Sequence, residues 1–233
     1  MKFIKHDKLN YSLCDTAANL SAVGAFQLVE DAICEMMGNL KLDGETCIRE
    51  YDAMWVFIKN RLEIHHPIHW MEEYTIECYI SNVGGVKLIV DTLIKSHGKI
   101  AVASRAELCA IDHNTSRIRR GNTVGLNDTI HSETPEIDIQ FDNGDFTACE
   151  LSDTVVVRST DIDFYHHNNN VSYIRYIVNQ FDTALLHQKP ISAIEIKYVS
   201  QTFEGDVLKI YRCSDNRFTI ENEDKTVVNC IVK

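Results

Sequence analysis

The chain repeats one order of elements, an amphipathic helix followed by a run of strands. The segment TAANLSAVGAFQLVEDAICEMMG supplies the first helix. Its apolar residues recur at steps of three and four: Ala22, Phe26, Val29, Ile33 and Met36. This spacing predicts one apolar helix face, with Thr16 capping the start and Gly38 ending the helix. Gly24 inside a helix costs about 1 kcal/mol relative to alanine, which indicates that another element packs closely there.

From Ala53 to Ile111 the pattern changes to strands. Four β-branched and aromatic runs follow one another: AMWVFIKNRLEI, EYTIECYISNV, VKLIVDTLI and KIAVASRAELCAI. The segments between them are rich in Gly, Asn and Pro, which is typical of turns. One long helix followed by antiparallel strands indicates an α+β fold.

The same order restarts in the second half, after a polar and turn-rich stretch. A short strand, DTVVVRST, precedes a second predicted helix, and four more strands follow it. The apolar stripe of this helix is Ile174, Ile177/Val178, Phe181 and Leu185. The duplication predicts two domains, residues 1–135 and 136–233, with the boundary between about 130 and 150. We therefore predict an α+β tandem (double) hotdog, in which each half sets a long helix against a curved antiparallel sheet.

The charge of the chain limits the partners that it can bind. Its 233 residues carry a formal net charge of −11, which argues against nucleic acids and anionic membranes. One basic cluster, SRIRR, contains Arg117, Arg119 and Arg120. This cluster is either a solvated loop or a local dock for an anionic partner.

The N-terminal sequence and the cysteines indicate a compartment. MKFIKHDKLNYSLCD lacks the apolar run of a signal peptide, and no stretch approaches the roughly 18 apolar residues of a membrane span. The eight cysteines contain no CxxC pair. We therefore expect a cytoplasmic protein whose cysteines are reduced thiols.

The stretch DIDFYHHNNNVSYIRYI is dense in polar groups at the predicted start of the second helix. Asn169 or Asn170 is a strong N-cap, so His167 comes directly before the helix. Unpaired backbone N–H groups at a helix start suit a developing oxyanion. Asp163, four residues earlier, can orient or deprotonate a water or an imidazole. The alternative is an ordinary capped helix with surface histidines.

A second histidine cluster, EIHHPIHW, raises the question of a metal site. His65, His66 and His69 have steps that would suit a metal on a helix. However, Pro67 and the strand-like flanking residues predict an extended hairpin, and no cysteine or carboxylate nearby has standard zinc spacing. We predict solvated turn histidines, no metal and no cofactor.

The chain resembles the acyl-acyl-carrier-protein thioesterases of the plant-type and bacterial double-hotdog family. That family carries a motif close to D-x-D-x-N-x-H-V-N-N-x-x-Y-I, and this chain reads DIDFYHHNNNVSYI. In the first half, MWVFIKNRLEIHHPIHWMEEYTIECYISN and ASRAELCAIDHNTSRIRR also resemble family segments. The resemblance spans nearly the whole chain.

The resemblance implies a set of catalytic positions. Asp163 and His167 match the family's catalytic Asp and His, whereas Tyr165 occupies the place of its catalytic Asn. The place of a family Glu is occupied by Gln201, and the next place, sometimes Cys, by Thr202. Tyr165 can still donate a hydrogen bond to a thioester oxygen, but Gln201 cannot act as a base near neutral pH.

The function implied by this resemblance is hydrolysis of fatty acyl thioesters on acyl carrier protein, in fatty acid biosynthesis. Two alternatives stay open: an acyl-coenzyme A thioesterase, and a degenerate family member that binds acyl chains or carrier protein without turnover. We expect the acyl chain to lie in a first-domain cavity, with core packing as the alternative, near Phe26, Val29, Trp55 and Phe57. The three arginines would dock the carrier protein, and a homodimer is left open.

Overall fold

A computed structural model describes residues 2–127, 130–142 and 144–233. The segment predicted to join the two domains contains Asp128, Thr129 and Asn143, so those positions of the prediction lie outside the described residues.

The first helix, α1, spans Ala22–Asn39 and buries the predicted apolar face. Its N-cap is Ser21, whose side chain accepts a hydrogen bond from the Gly24 N–H. The prediction that Thr16 caps this helix is therefore wrong, because the chain is still non-helical between Thr16 and Ser21. The close approach expected at Gly24 is confirmed, since a Cβ there would collide with the carbonyl oxygen of Leu13.

Ten strands of the described residues form one antiparallel sheet. In chain order they are β1 (Phe3–Lys8), β2 (Ala53–Ile64), β3 (Glu73–Val83), β4 (Lys87–Ser96), β5 (Lys99–Asp112), β6 (Glu150–Val156), β7 (Ala193–Tyr198), β8 (Val207–Arg212), β9 (Arg217–Asn222) and β10 (Lys225–Val232). Their spatial order is β1-β3-β4-β5-β2-β7-β10-β9-β8-β6. Strands β1 to β5 thus occupy one side and β6 to β10 the other. The predicted helix-against-sheet double hotdog is confirmed.

The two sides of the sheet meet where β2 pairs with β7, for example Asn60 with Ile196. A buried carboxylate, Glu195, lies at this seam. It accepts from the Lys59 Nζ at 2.9 Å and the Arg61 Nη1 at 3.3 Å. The backbone N–H of Asp142 also donates to it, at 2.8 Å. Because a buried charge needs partners that satisfy it, this carboxylate holds strands of both halves and the intervening segment together.

The helix of the second half is shorter than predicted. Helix α3 spans Asn170–Val178, and a separate helix, α4, spans Thr183–Gln188. The apolar stripe is confirmed at Ile174 and Ile177, which are buried, but not at Leu185, which is 44% exposed. The chain leaves the helix after Val178, and Phe181 packs its ring against Phe218 of β9, with 5.6 Å between the centroids.

One further helix, α2 at Gly44–Tyr51, has no counterpart in the sequence prediction. Asp43 caps it by accepting a hydrogen bond from the Thr46 N–H. Its apolar content is low and only Cys47 is buried. The spacing of apolar residues therefore could not predict this helix, whereas Asp43 is a recognisable N-cap signal in the sequence.

The segment between β5 and β6 crosses the outer face of the first half. Ile137 and Ile139 pack there against a small apolar cluster containing Tyr79 and Leu93. Arg105 donates to the carbonyl oxygens of both isoleucines, at 3.2 and 2.9 Å. The joining segment is thus packed against the sheet, and the domain boundary at residue 135 stays a prediction.

A disulfide joins Cys149 and Cys213, which overturns the expectation that all cysteines are reduced. The two residues flank β6 and β8, where Glu150 pairs with Arg212. Strand pairing therefore brings their side chains together although they are 64 residues apart in sequence. The other six cysteines are free thiols.

Among the described residues, no helix is both long and apolar enough to cross a membrane.

Candidate active site

The polar motif folds into a tight turn directly before α3. The Asp163 N–H donates to the His167 carbonyl oxygen at 2.9 Å, and His166 takes a left-handed conformation with φ of 65°. One carboxylate oxygen of Asp163, Oδ1, accepts from the backbone N–H groups of Tyr165 and His167, at 2.8 and 3.2 Å. The other oxygen, Oδ2, has no hydrogen-bond partner among the described residues. The turn is therefore built around Asp163, with one oxygen left to meet a ligand.

Asp161 anchors this turn from behind, a role that the sequence reading did not assign to it. Its buried carboxylate accepts from the Arg158 N–H at 2.9 Å and from the Arg175 Nη1 at 3.3 Å. Its carbonyl oxygen accepts from the Asn169 N–H at 2.8 Å. The first aspartate of the motif thus supports the turn, while the second faces outward.

The start of α3 offers a backbone donor. Asn169 is the N-cap, as predicted, and its Oδ1 accepts from the Val171 N–H at 2.8 Å. The backbone N–H of Asn170 has no hydrogen-bond partner in the described part of the chain. A free N–H at a helix start carries the positive end of the helix dipole and suits an anionic oxygen.

His167 lies beside the turn with its ring edge against Phe203, the centroids 5.4 Å apart. Burial lowers the pKa of His167 below its ordinary value of 6.5, and His113 and His166 lower it further, while Asp163 opposes them. The imidazole is therefore neutral near pH 7 and able to accept a proton. His113 follows β5, so the turn after that strand comes close to the motif.

Tyr165 reaches from the motif to the first half of the molecule. Its phenol oxygen packs against Gly44 at the start of α2, where a Cβ would collide with it. Burial raises the pKa of Tyr165 to about 12. The phenol therefore keeps its proton at neutral pH and remains a hydrogen-bond donor.

A carboxyl group from the first half also reaches the start of α3. Glu30 of α1 accepts a hydrogen bond from the Asn170 Nδ2 at 3.2 Å. Burial raises the pKa of Glu30 from 4.5 to about 7, and the nearby charges of Asp31 and Asp163 add to the rise. The sequence reading missed this residue. The available signal was its spacing, since Glu30 lies four residues after Phe26 and three before Ile33, on the apolar stripe of α1.

Gln201 forms no hydrogen bond with the other predicted catalytic side chains. It is exposed and forms no hydrogen bond with any described residue. Its neighbour Thr202 is buried and structural: the hydroxyl lies 2.7 Å from the Tyr173 phenol oxygen and accepts from the Asn168 Nδ2 at 3.2 Å. Asp163, Tyr165 and His167 thus share one turn, and the Asn168 N–H of that turn donates to the Thr202 carbonyl oxygen at 2.9 Å. The role of Gln201 stays a prediction.

The residues predicted to line an acyl cavity lie in the main apolar core. Phe26 and Val29 on α1 and Trp55 on β2 are buried, and Phe57 is partly buried against them. Two clefts, of about 760 and 320 Å³, open along β1, and neither is lined by these four residues. The acyl cavity stays a prediction.

The three arginines differ in their contacts. Arg119 is held in place, since its guanidinium donates to Asp112 at 3.2 Å and to the Tyr51 carbonyl oxygen at 3.4 Å. Arg117 and Arg120 are exposed and form no ion pair with a described residue. They flank Ile118, which is 67% exposed.

The second histidine cluster lies in the turn between β2 and β3. His65, His66 and His69 are exposed, and the His69 Nδ1 lies 3.3 Å from the Asn19 Oδ1. The described residues contain no group of three His, Cys, Asp or Glu side chains arranged to hold a metal ion.

Comparison with known families and structures places the motif in a known domain. Residues 147–230 match the family model of the acyl-ACP thioesterase C-terminal domain. The chloroplastic dodecanoyl-[acyl-carrier-protein] hydrolase of Umbellularia californica is 21% identical over 168 residues, 68% of this chain and 44% of that relative. The chain thus spans less than half the length of this curated relative.

Solved structures share the fold over the full chain. An acyl-ACP thioesterase of Bacteroides thetaiotaomicron superposes with a TM-score of 0.85 at 18% identity, over 100% of this chain and 98% of that one. The 12:0-ACP thioesterase of Umbellularia californica gives 0.80 at 15% identity, over 100% and 97%. The resemblance to acyl-ACP thioesterases that the sequence motif indicated is confirmed.

Proposed function

We propose that this chain, whose residues 147–230 form an acyl-ACP thioesterase C-terminal domain, hydrolyses fatty acyl thioesters carried on acyl carrier protein. The products are a free fatty acid and the holo carrier protein. The observation that carries the proposal is the turn before α3, where Asp163, Tyr165 and His167 lie directly before the helix start and its free Asn170 N–H.

The chemistry assigned to this turn is attack by water on the thioester carbonyl. The free carboxylate oxygen of Asp163 orients the water, and neutral His167 accepts its proton. The Asn170 N–H stabilises the oxyanion of the tetrahedral intermediate. Collapse breaks the C–S bond, and the proton held by His167 passes to the departing sulfur. Gln201 has no step to perform, which agrees with its exposed position.

The basic turn after β5 supports the proposal that the acyl group of the substrate is attached to a carrier protein. Arg117 and Arg120 present positive charge that no described residue pairs, in the segment that also holds His113, which lowers the pKa of His167. On a chain with a net charge of −11, an acidic partner needs such a local attraction to dock.

The test is thiol release from a panel of acyl-carrier and acyl-coenzyme A substrates of graded chain length. We expect turnover of acyl-carrier substrates by the purified parent. Asp163→Asn should lower kcat by about 10²–10⁴, or about 3–5 kcal/mol in the barrier, because an amide oxygen can still accept the two backbone N–H groups but the charge is lost. Glu204→Gln, an exposed acid-to-amide change, is the matched control and should match the parent.

The outcomes separate the parts of the proposal. Unchanged release by Asp163→Asn would contradict the site assignment while leaving the hydrolase proposal intact. If only coenzyme A thioesters are turned over, the substrate is an acyl-coenzyme A and not an acyl carrier protein. No release from any thioester would overturn the hydrolase proposal.

A further inference from the structure

The start of α3 receives a side chain that the proposed mechanism has not yet used. Glu30 belongs to α1 in the first half of the chain, yet its Oε1 accepts from the side chain of Asn170, 140 residues later. Asn170 is also the residue whose backbone N–H is free. The Glu30 carboxyl therefore lies at the same helix start as the proposed oxyanion position.

The hydrogen-bond pattern of Glu30 leaves one oxygen open. Its Oε1 is the acceptor for the Asn170 Nδ2, whereas its Oε2 has no partner in the described part of the chain. The residue is only partly buried, although it lies on the apolar face of α1. A carboxyl in this setting can hold a proton on Oε2 and act as a hydrogen-bond donor at the start of α3.

None of the described groups that shift the pKa of Glu30 is a cation, although the hydrogen bond from Asn170 favours the ionised form. The titratable groups that face it are Asp31 and Cys34 from α1, Asp163 from the turn and Tyr198 from β7. The carboxylates of Asp31 and Asp163 disfavour a further negative charge, and so does burial by the surrounding helices and sheet. The pKa of Glu30 accordingly lies at about 7, so a large share of the molecules carry the neutral acid at neutral pH.

Resting on the proposed function, we infer that the protonated carboxyl of Glu30 is a catalytic group that donates the second hydrogen bond to the thioester oxyanion. Asp163 and Glu30 then divide two roles. The ionised carboxylate on the turn orients water, and the neutral carboxyl on α1 stabilises the charge that the attack creates. Glu30 keeps its proton throughout, so the stoichiometry of hydrolysis is unchanged.

The role predicts a particular pH dependence. Ionisation of Glu30 removes the donor and adds negative charge next to the oxyanion, so kcat of the parent should fall above about pH 7. Glu30→Gln keeps both an acceptor for Asn170 and a donor for the oxyanion, but it does not ionise. We expect this variant to stay within about tenfold of the parent near pH 7 and to lose the alkaline decline.

Glu30→Leu is the complementary variant, since it preserves size and removes the donor. Loss of one oxyanion donor costs about 10²–10³ in kcat, and we expect that loss at every pH. Glu204→Gln is the matched control. It makes the same acid-to-amide change at an exposed position that is not among the groups shifting the pKa of Glu30, and it should leave both the rate and the shape of the pH profile like those of the parent.

The measurement is kcat from pH 5 to 9 for the four proteins, with the acyl-carrier substrate that the parent cleaves fastest. An alkaline decline retained in Glu30→Gln, or a Glu30→Leu rate within threefold of the parent, would overturn the role of Glu30 alone. A folded parent that releases no thiol from any substrate would overturn the proposed function, and the Glu30 role with it.

Discussion

The two halves of the sheet differ in how much structure supports them. The first half has an 18-residue helix, one strand of 6 residues and four strands of 10 to 14 residues. In the second half, α3 has 9 residues and all five strands have 6 to 8. The half that carries the Asp163 turn is thus the smaller framework.

The second half compensates for its size with contacts from the first half and with a covalent bond. Glu30 and Gly44 from the first half contact Asn170 and Tyr165 at the turn. The Cys149–Cys213 disulfide ties β6 to β8 at the end remote from the turn. The Asp163 turn therefore depends on both halves for its packing, although its residues come from one stretch of sequence.

Among the changes that test this difference between the halves, removing the disulfide should have the largest effect on stability. Replacing Cys149 and Cys213 together by serine should lower the free energy of unfolding by about 2–4 kcal/mol, because the unfolded chain gains freedom. The kcat at 25 °C should be retained, since the bond lies far from the turn. Urea unfolding without reductant measures the change. Cys14→Ser, which changes a free cysteine, is the control. If the double serine variant is as stable as the parent, the Cys149–Cys213 disulfide does not form.

The next effect concerns the burial of Glu30 between the halves. Its raised pKa means that the unfolded chain releases the proton first as pH rises. The free energy of unfolding should therefore fall between pH 4.5 and about 7. Relative to the parent, Glu30→Gln should gain at most about 3 kcal/mol above pH 7 and nothing below pH 4.5. The urea unfolding midpoints of the parent and of Glu30→Gln at pH 4 and pH 8 test this prediction. If the two proteins differ by the same amount at both pH values, ionisation of Glu30 is not the cause of the difference.

A smaller effect should follow from disturbing the contact between Tyr165 and α2. Gly44→Ala places a methyl group where the phenol lies. Overpacking of this kind costs about 1–3 kcal/mol, and displacement of Tyr165 should also lower kcat. Gly38→Ala is the control, because a Cβ at Gly38 meets no atom within 4 Å. If Gly44→Ala matches this control in thermal unfolding and in kcat, the contact does not support the turn.

The smallest effect should come from the exposed charges of the first half. Reversing Arg117 and Arg120 to glutamate should raise KM for acyl-carrier substrates about fivefold to tenfold, roughly 1 kcal/mol, and flatten its dependence on salt. KM for an acyl-coenzyme A substrate should change less. Lys99→Glu, exposed at the opposite end of β5, is the control. An unchanged KM in the double variant would identify the basic turn as an ordinary solvated loop.

Several features of this protein followed from the sequence alone. The period of apolar residues predicted α1 and the strands, because each period decides which face of an element is buried. The asparagines predicted the start of α3, because capping involves only residues within the same turn. The order of elements and the motif around Asp163 and His167 indicated the fold and the family.

Other features depended on residues that are distant in sequence. The approach of Glu30 to Asn170, the packing of Tyr165 on Gly44 and the Cys149–Cys213 bond all follow from the way strands and helices pair. Residue spacing also could not predict the exposure of Gln201 or the hydrogen bonds that hold the Arg119 guanidinium. Local periodicity determines which side of each element is buried, but only the sheet order and the packing of α1 on α3 determine which buried groups meet.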